Sequence, residues 1–180
     1  MYGIVNQAIQ GLVTENYGVE AWNKIKEKSN VKEETFLSNQ IYDDNLTYTL
    51  AMAASEILNI SLAKVLISFG EYWAVKTGNQ KYGSLMKAGG NTLREFLVNL
   101  PNFHSRVMLM YPKITPPEFK ITNETENSLH LHYFSEREGL TDFMYGLIHG
   151  LAKIYNVKVN VELINDKKKG HNNDTFLVSW

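Results

Sequence analysis

The spacing of apolar residues changes once along this chain, close to Pro112. Before that proline, apolar residues recur at intervals of three and four, which is the period of a helix with one buried face. After it they alternate at intervals of two, as in a strand with one buried face. The change predicts an α+β fold in which an N-terminal helical half packs on a C-terminal antiparallel sheet.

The helical half carries start and stop signals at the expected places. Ile4, Ala8 and Leu12 predict a first helix, and Gly18 is placed to terminate it before a short second helix. Ser61 precedes another apolar run, and its hydroxyl is suited to capping a helix N-terminus. We therefore expect several short helices connected by tight turns.

The second half predicts four strands and one inserted helix. The strands are expected at residues 118–122, 128–135, 157–163 and 175–180, and the helix at residues 141–155. The polar stretch between the last two strands contains Lys167-Lys168-Lys169, which we interpret as a solvated turn. The prediction is a single domain, 1–180, with a helical part at about 1–111 and a sheet part at about 112–180.

Composition excludes several classes of function. The chain has 180 residues, 44% of them hydrophobic, so one domain with a substantial core is expected. Its net charge of −1 argues against a broad nucleic-acid surface. It contains no cysteine, which excludes disulfides, cysteine-ligated zinc, iron–sulfur clusters, thiolate-ligated haem and covalent c-type haem.

The chain also lacks targeting and membrane signals. Its first residues show no cationic segment followed by an apolar core, so no signal peptide is predicted. No uninterrupted apolar run approaches the ~20 residues of a membrane-spanning helix. A soluble, cytoplasmic protein with no membrane partner is expected.

One histidine lies within an apolar helical stripe. The stripe is spaced at intervals of three and four and comprises Leu93, Leu97, Leu100, His104, Val107 and Tyr111. His104 is either a ligand of haem or another metal, or a core histidine that bonds to a backbone carbonyl. Pro101 is expected to kink this helix just before His104.

A second feature is the sequence Tyr133-x-Ser135-x-Arg137. In a strand, alternate residues share a face, so these side chains are expected to project the same way. Two hydroxyl groups and a guanidinium suit a carboxylate or phosphate ligand. The alternative is the solvated face of a half-exposed strand. We refer to these three residues as the Y-x-S-x-R set.

Together these residues resemble the H-NOX (haem nitric oxide/oxygen binding) family, which includes the haem domain of soluble guanylate cyclase. The resemblance covers nearly the whole chain. It is carried by Met1-Tyr2-Gly3, Tyr42-Asp43-Asp44, Phe69-Gly70-Glu71-Tyr72-Trp73, Arg94-Glu95-Phe96, and the stretch from Leu131 to Leu140. The order of a helical histidine followed about thirty residues later by Y-x-S-x-R is typical of the family.

The resemblance implies a non-covalent haem b bound between the helices and the sheet. It places the axial iron ligand at His104 and the contacts to the haem propionates at the Y-x-S-x-R set. Family residues that press on the macrocycle correspond to Ile4 and Pro117.

The gas-binding face is expected to lack a strong hydrogen-bond donor. Members that bind oxygen have a tyrosine at the position that corresponds to Phe143, and Leu147 lies on the same helix face. Trp73 is the one possible donor there, through its indole N–H, or it is a packing residue over the haem. The expected ligands are therefore NO and CO, without stable oxygen binding. An oxygen-binding haem sensor is the alternative.

The resemblance implies a sensor and not an enzyme. NO is expected to weaken the iron–His104 bond, and the shape change passes to a partner such as a histidine kinase, a diguanylate cyclase or a cyclase domain. Two other classes stay open from the residues alone. One is an enzyme with His104 as base and Arg137 as an oxyanion clamp. The other is an interaction module without haem.

Overall fold

The computed structural model describes residues 1–113 and 115–180, and its architecture is α+β. The helices are α1 (Gly3–Tyr17), α2 (Val19–Lys28), α3 (Asp44–Leu58), α4 (Leu62–Tyr72), α5 (Asn79–Gly89), α6 (Leu93–Met108) and α7 (Thr141–Ile154). The strands are β1 (Glu118–Thr122), β2 (Ser128–Phe134), β3 (Asn160–Asn165) and β4 (Asp174–Ser179). The predicted fold class, a helical N-terminal half and an antiparallel sheet with an inserted helix, is confirmed.

The four strands form one antiparallel sheet in the order β1-β2-β4-β3. In this register Leu131 of β2 and Leu163 of β3 both lie opposite Phe176 of β4. Strand β2 alternates strictly, and its residues Leu129, Leu131 and Tyr133 are buried while their neighbours are partly exposed. One face of the sheet is therefore part of the core, as a period of two requires.

The buried side chains divide into two large clusters. The first is built from α1, α2, α3 and α4, and includes Ile9, Trp22, Leu50 and Phe69. The second is built from α6, α7 and the sheet, and includes Phe96, Leu97, Leu131, Ile148 and Phe176. Helix α6 therefore packs with the sheet, although it precedes the change of periodicity in the sequence.

Helices α4 and α7 join the two clusters through an unusually close approach. A Cβ atom built on Gly146 would lie 2.0 Å from the carbonyl oxygen of Ile67, and one built on Gly70 would lie 2.1 Å from the carbonyl oxygen of Phe143. A Cβ atom built on Gly150 would likewise lie 2.7 Å from the Cβ atom of Ala74. Only residues without side chains allow the two backbones to lie this close.

Several local predictions are confirmed. Helix α1 ends at Gly18, which has a positive φ of 85°, and the Ser61 hydroxyl accepts a hydrogen bond of 3.2 Å from the Lys64 amide. The start of β3 differs from the prediction, because the turn that ends α7 extends further. Asn156 adopts a left-handed φ of 54°, and the Val157 amide bonds back to the Ala152 carbonyl, so pairing begins only at Asn160.

The segment after α4 was not predicted from the sequence. Residues Trp73–Gly78 form a π-helical segment, and α5 follows it directly, giving one helical run from Leu62 to Gly89. Insertions of this kind are rare and occur often at functional sites. This one turns the residues from Trp73 onward relative to those of α4.

Among the described residues, no single helix is long and apolar enough to cross a membrane. One pair of helical segments, Asp44–Leu58 and Leu62–Gly89, meets that length and composition only when taken together, and the two are bent by 114°.

The close contact between α4 and α7 predicts that Gly146→Ala destabilises the protein by at least about 2 kcal/mol, because the new methyl group must displace the Ile67 backbone. The matched control is Gly83→Ala, whose Cβ meets only the flexible Asn79 side chain, at 3.1 Å. That change is expected to be neutral or to stabilise by up to about 1 kcal/mol through helix propensity. Urea unfolding measures both; equal stability of the two variants would contradict the packing argument.

Candidate functional site

An internal cavity lies where the two clusters meet. Its volume is about 280 Å³, close to the lower end of ligand pockets, which span about 300–1,000 Å³. Most of its lining is apolar and comes from α1, α3, the run from α4 to α5, α6, α7 and the sheet. It contains eight of the nine site residues predicted from the sequence: Ile4, Trp73, His104, Pro117, Tyr133, Arg137, Phe143 and Leu147.

The ninth predicted residue, Ser135, lines an adjoining second cavity of about 430 Å³. Tyr133, Arg137 and Leu140 line both cavities, so the two spaces meet beside the end of β2. We call the first space, which His104 lines, the main cavity. Its lining is mostly apolar, whereas charged side chains are concentrated around the second cavity.

His104 projects from α6 into the wall of the main cavity. Its ring lies edge-on to Phe119, with ring centroids 5.0 Å apart. Burial lowers the pKa of His104 to about 4, so the imidazole is neutral at neutral pH. Among the described residues no hydrogen bond to this ring is found, which argues against a core histidine that bonds to a backbone carbonyl. The unengaged, neutral imidazole is the form that ligates iron.

The Y-x-S-x-R set is not a single strand face. Strand β2 ends at Phe134, and the Ser135 hydroxyl accepts a hydrogen bond of 3.1 Å from the Arg137 amide, which bends the chain. The prediction that Ser135 and Arg137 belong to the strand was therefore wrong, but the side chains of all three residues line the second cavity, as their expected convergence requires. Tyr133 and Arg137 also reach the main cavity, and burial raises the pKa of the Tyr133 phenol, which keeps it a hydrogen-bond donor.

Arg137 is anchored by groups that the sequence did not suggest. Its Nε donates to Asp44 Oδ2 at 2.7 Å, and its Nη1 donates to the Thr115 carbonyl at 3.1 Å. The amino group of Met1 donates to the other oxygen of Asp44 and, at 2.6 Å, to the Tyr42 carbonyl. Burial acts to raise the pKa of Asp44, but these two cations outweigh it and lower that pKa overall.

The part of the cavity wall formed by α4, α7 and Trp73 is apolar and aromatic. Phe143 of α7 packs against Phe69 of α4 with ring centroids 4.8 Å apart, and Trp73 meets Phe69 edge-on at 6.4 Å. Leu147 follows Phe143 by one helical turn on the same face. Because the glycine contact fixes α4 against α7, it also fixes the distance between these aromatic rings.

A tyrosine pair in the cavity wall was missed by the sequence analysis. The hydroxyl groups of Tyr82 and Tyr111 lie 2.6 Å apart and are buried, and burial raises the pKa of Tyr82. Tyr2 packs on Tyr111 with ring centroids 4.6 Å apart. Tyr111 belongs to the predicted stripe, but Tyr82 lies on α5, which was not predicted. The sequence therefore gave no reason to pair Tyr82 with Tyr111.

The two histidines of β2, His130 and His132, form hydrogen bonds with nearby side chains. The ring of His132 lies 2.7 Å from the Thr122 hydroxyl and 3.1 Å from the Thr175 hydroxyl, and His130 contacts Asn123 at 3.0 Å. In the part of the chain that the structure describes, no group of three or more histidine or carboxylate side chains could hold a metal ion. A site for a free metal ion is therefore not indicated here.

The interpretation of the lysine run as a solvated turn was wrong for Lys167. Its ammonium group donates a hydrogen bond of 2.8 Å to the Ser135 carbonyl, and its own amide donates to Asp174 at 2.8 Å. Lys168 and Lys169 are exposed, as expected.

The side chains of the two cavities suit a haem b. The main cavity offers one neutral imidazole in an apolar wall, which fits iron ligation by histidine. The adjoining cavity offers a phenol, a hydroxyl and cationic groups, which fit the carboxylates on one edge of the molecule. The apolar macrocycle of haem thus matches the apolar main cavity, and its two carboxylates match the charged second cavity.

Comparisons with known proteins agree with this fit. Residues 2–163 match the family model described as Haem-NO-binding. The fold resembles an H-NOX protein from S. oneidensis, solved in the Fe(II)NO ligation state, with a TM-score of 0.89, 18% identity and coverage of 99% of this chain and 98% of that one. It also resembles an unliganded Fe(II) H-NOX protein from K. algicida, with a TM-score of 0.86, 24% identity and coverage of 99% and 96%.

Sequence relatives are soluble guanylate cyclases. The chain is 26% identical over 179 residues to soluble guanylate cyclase gcy-33 of Caenorhabditis elegans, covering 99% of this chain and 19% of that protein. It is 30% identical over 159 residues to gcy-37 of the same organism, covering 85% and 22%. The chain thus spans only about a fifth to a quarter of the length of these relatives.

Fold and cavity together define the class as a haem-based gas-sensor fold of the H-NOX type. The chain belongs to the Haem-NO-binding family. Domains of this family bind haem, are sensors rather than catalysts, and signal to partners such as cyclases.

The burial of His104 predicts a pH dependence of stability in the haem-free protein. Its pKa is about 4 in the folded protein and 6.5 in the unfolded chain, so only the unfolded chain takes up a proton between these values. The free energy of unfolding should therefore fall as the pH is lowered from 6.5 towards 4, by up to about 3 kcal/mol. In His104→Leu this contribution is absent. Urea unfolding from pH 7 to pH 4 compares the two proteins, and parallel pH profiles would contradict the assignment.

Proposed function

We propose that this chain is a haem-b sensor of nitric oxide in which His104 is the axial ligand of a ferrous iron. The observation that carries the proposal is the state of the His104 ring. It is neutral, lies in the wall of an apolar cavity, and makes no hydrogen bond to the described protein. The ring is partly buried and has no hydrogen-bond partner among the described residues, so its nitrogens are available to ligate iron.

The other cavity residues have separate roles in the proposal. Tyr133, Ser135 and Arg137 would bind at the haem carboxylates, and Ile4 and Pro117 would press on the macrocycle. Pro117 lines the cavity and Pro116 does not, which supports this choice between the adjacent prolines. The absence of cysteine makes the attachment non-covalent. When bound, the cofactor would supply a ferrous iron, which is the chemistry needed to bind a diatomic gas.

The choice of gas is proposed to be NO and CO, without stable retention of oxygen. Phe143 and Leu147 line the same cavity as His104, and their side chains have no hydrogen-bond donor. Stable binding of oxygen would need such a donor, whereas binding of NO would not. Trp73 also lines this cavity and carries an indole N–H, so an oxygen-binding sensor is the second candidate.

The signal is proposed to leave through α6. If NO weakened the bond between His104 and the iron, α6 would be free to move relative to the N-terminal helices. Because α6 packs with the sheet, this movement shifts the cluster of α6, α7 and the sheet against the cluster of α1 to α4. The shift is a signal only if a partner distinguishes the two states.

The partner is proposed to be a separate signalling protein or domain, such as a histidine kinase, a diguanylate cyclase or a cyclase domain. In this proposal residues 1–180 form one cytoplasmic sensor domain, and any catalysis belongs to the partner. The similarity to one part of longer cyclases supports a sensor that works on an attached or associated output.

The first test is the absorption spectrum of the reduced protein before and after anaerobic addition of NO. We expect a five-coordinate ferrous spectrum that converts to a five-coordinate nitrosyl spectrum, because His104 is released. His104→Gly with free imidazole should bind haem and NO but lose the NO-dependent change in shape measured by small-angle scattering. A protein that takes up no haem would overturn the proposal, and a shape change that persists in His104→Gly would exclude His104 as the lever.

The second test concerns oxygen. The reduced protein exposed to air is expected to show no persistent oxygen-bound spectrum, since Phe143 and Leu147 offer no donor. Phe143→Tyr adds a phenol to the same wall and should slow oxygen release measurably by stopped-flow. A persistent spectrum in the unmodified protein would favour the oxygen-sensor alternative, and its loss in Trp73→Phe would identify Trp73 as the donor.

A further inference from the structure

The loop between β3 and β4 is held in one geometry by two aspartates. Residues Lys167–Lys169 form a single 3₁₀ turn, in which Asp166 accepts a hydrogen bond of 2.9 Å from the Lys168 amide. Asp174 accepts one of 2.8 Å from the Lys167 amide, and its second oxygen accepts one of 2.7 Å from the Thr141 hydroxyl. The position of the Lys167 backbone is therefore fixed from both sides.

The side chain of Lys167 is directed back over the end of β2. Its ammonium group donates to the Ser135 carbonyl at 2.8 Å, in a partly buried environment, while the next two lysines are exposed. Within the described ranges, no carboxylate oxygen lies within 4 Å of this ammonium group. Lys167 thus places a partly desolvated positive charge beside the Y-x-S-x-R set without a counter-charge.

Lys167 also lines the second cavity, which meets the main cavity at Tyr133, Arg137 and Leu140. The only carboxylates among the described residues of this lining are Glu138, which is exposed, and Asp174, whose two oxygens are already hydrogen-bonded. The charge at this end of the cavities therefore favours an anionic group.

Arg137 by itself is poorly placed to bind two carboxylates. Its Nε–H bonds to Asp44 and one N–H of Nη1 bonds to the Thr115 carbonyl, so the donors that are left on Nη1 and Nη2 suit one carboxylate, and Asp44 already balances its charge. A haem b has two carboxylates on one edge. One of them can be held by Arg137 with Tyr133, and a second cation is needed for the other.

We propose that Lys167 binds one of the two haem carboxylates through its ammonium group, while the Y-x-S-x-R set binds the other. The inference rests on the proposed function, since it assumes that haem occupies the main cavity. It assigns a binding role to a residue from a loop that none of the sequence patterns marked as functional.

The test measures the rate of haem loss to an excess of apomyoglobin. Lys167→Gln is expected to lose ferric haem about fivefold faster than the unmodified protein, as for a partly exposed ion pair. Lys169→Gln removes the same charge from an exposed position of the same loop and is expected to leave the rate unchanged. Lys167→Arg retains the charge and should restore the rate to within about twofold.

The same measurements with haem dimethyl ester isolate the carboxylate. The ester has the same macrocycle but no negative charges, so Lys167→Gln is expected to leave its rate of loss unchanged. If the variant loses haem at the normal rate, or loses haem and the ester equally fast, Lys167 does not bind a carboxylate and the inference is overturned. If the unmodified protein takes up neither porphyrin, the proposed function fails as well, which the missing Soret band would show.

Discussion

The close packing of α4 against α7 is the constraint on which the rest of the structure depends. Gly70, Gly146 and Gly150 let two helix backbones meet without intervening side chains. Helix α4 belongs to the N-terminal cluster and α7 to the sheet cluster, so this contact joins the two cores. It also sets the separation of Phe69 and Phe143, and with it the shape of this part of the cavity wall.

Helix α6 carries His104 and borders the cavity. It packs with α5, α7 and the sheet, and its Val107 belongs to a third cluster together with Tyr2 and Ile4. The polar ends of the two cores are linked by Asp44, which contacts both Arg137 and the Met1 amino group. The two cores are therefore held together at two places, by the contact between α4 and α7 and by Asp44.

The sequence predicted the fold class and most of the cavity wall because both depend on local periodicity. Eight of the nine predicted site residues line one cavity, although they come from several elements. Two of the predictions that failed involve contacts between distant segments. Arg137 was assumed to be free for a ligand, and Lys167 was assumed to be solvated, because neither Asp44 nor the Ser135 carbonyl is near them in the sequence.

The sequence by itself determined which side of each element is apolar, that His104 lies on such a side, and that cysteine chemistry is excluded. Periodicity contains this information because a side chain's direction follows from its position along a helix or strand. Only the tertiary structure decided what each face meets: that α6 packs with the sheet, that the His104 ring has no hydrogen-bond partner among the described residues, and that the polar side chains converge at one end. Those outcomes depend on distances between residues far apart in the chain, which no local pattern encodes.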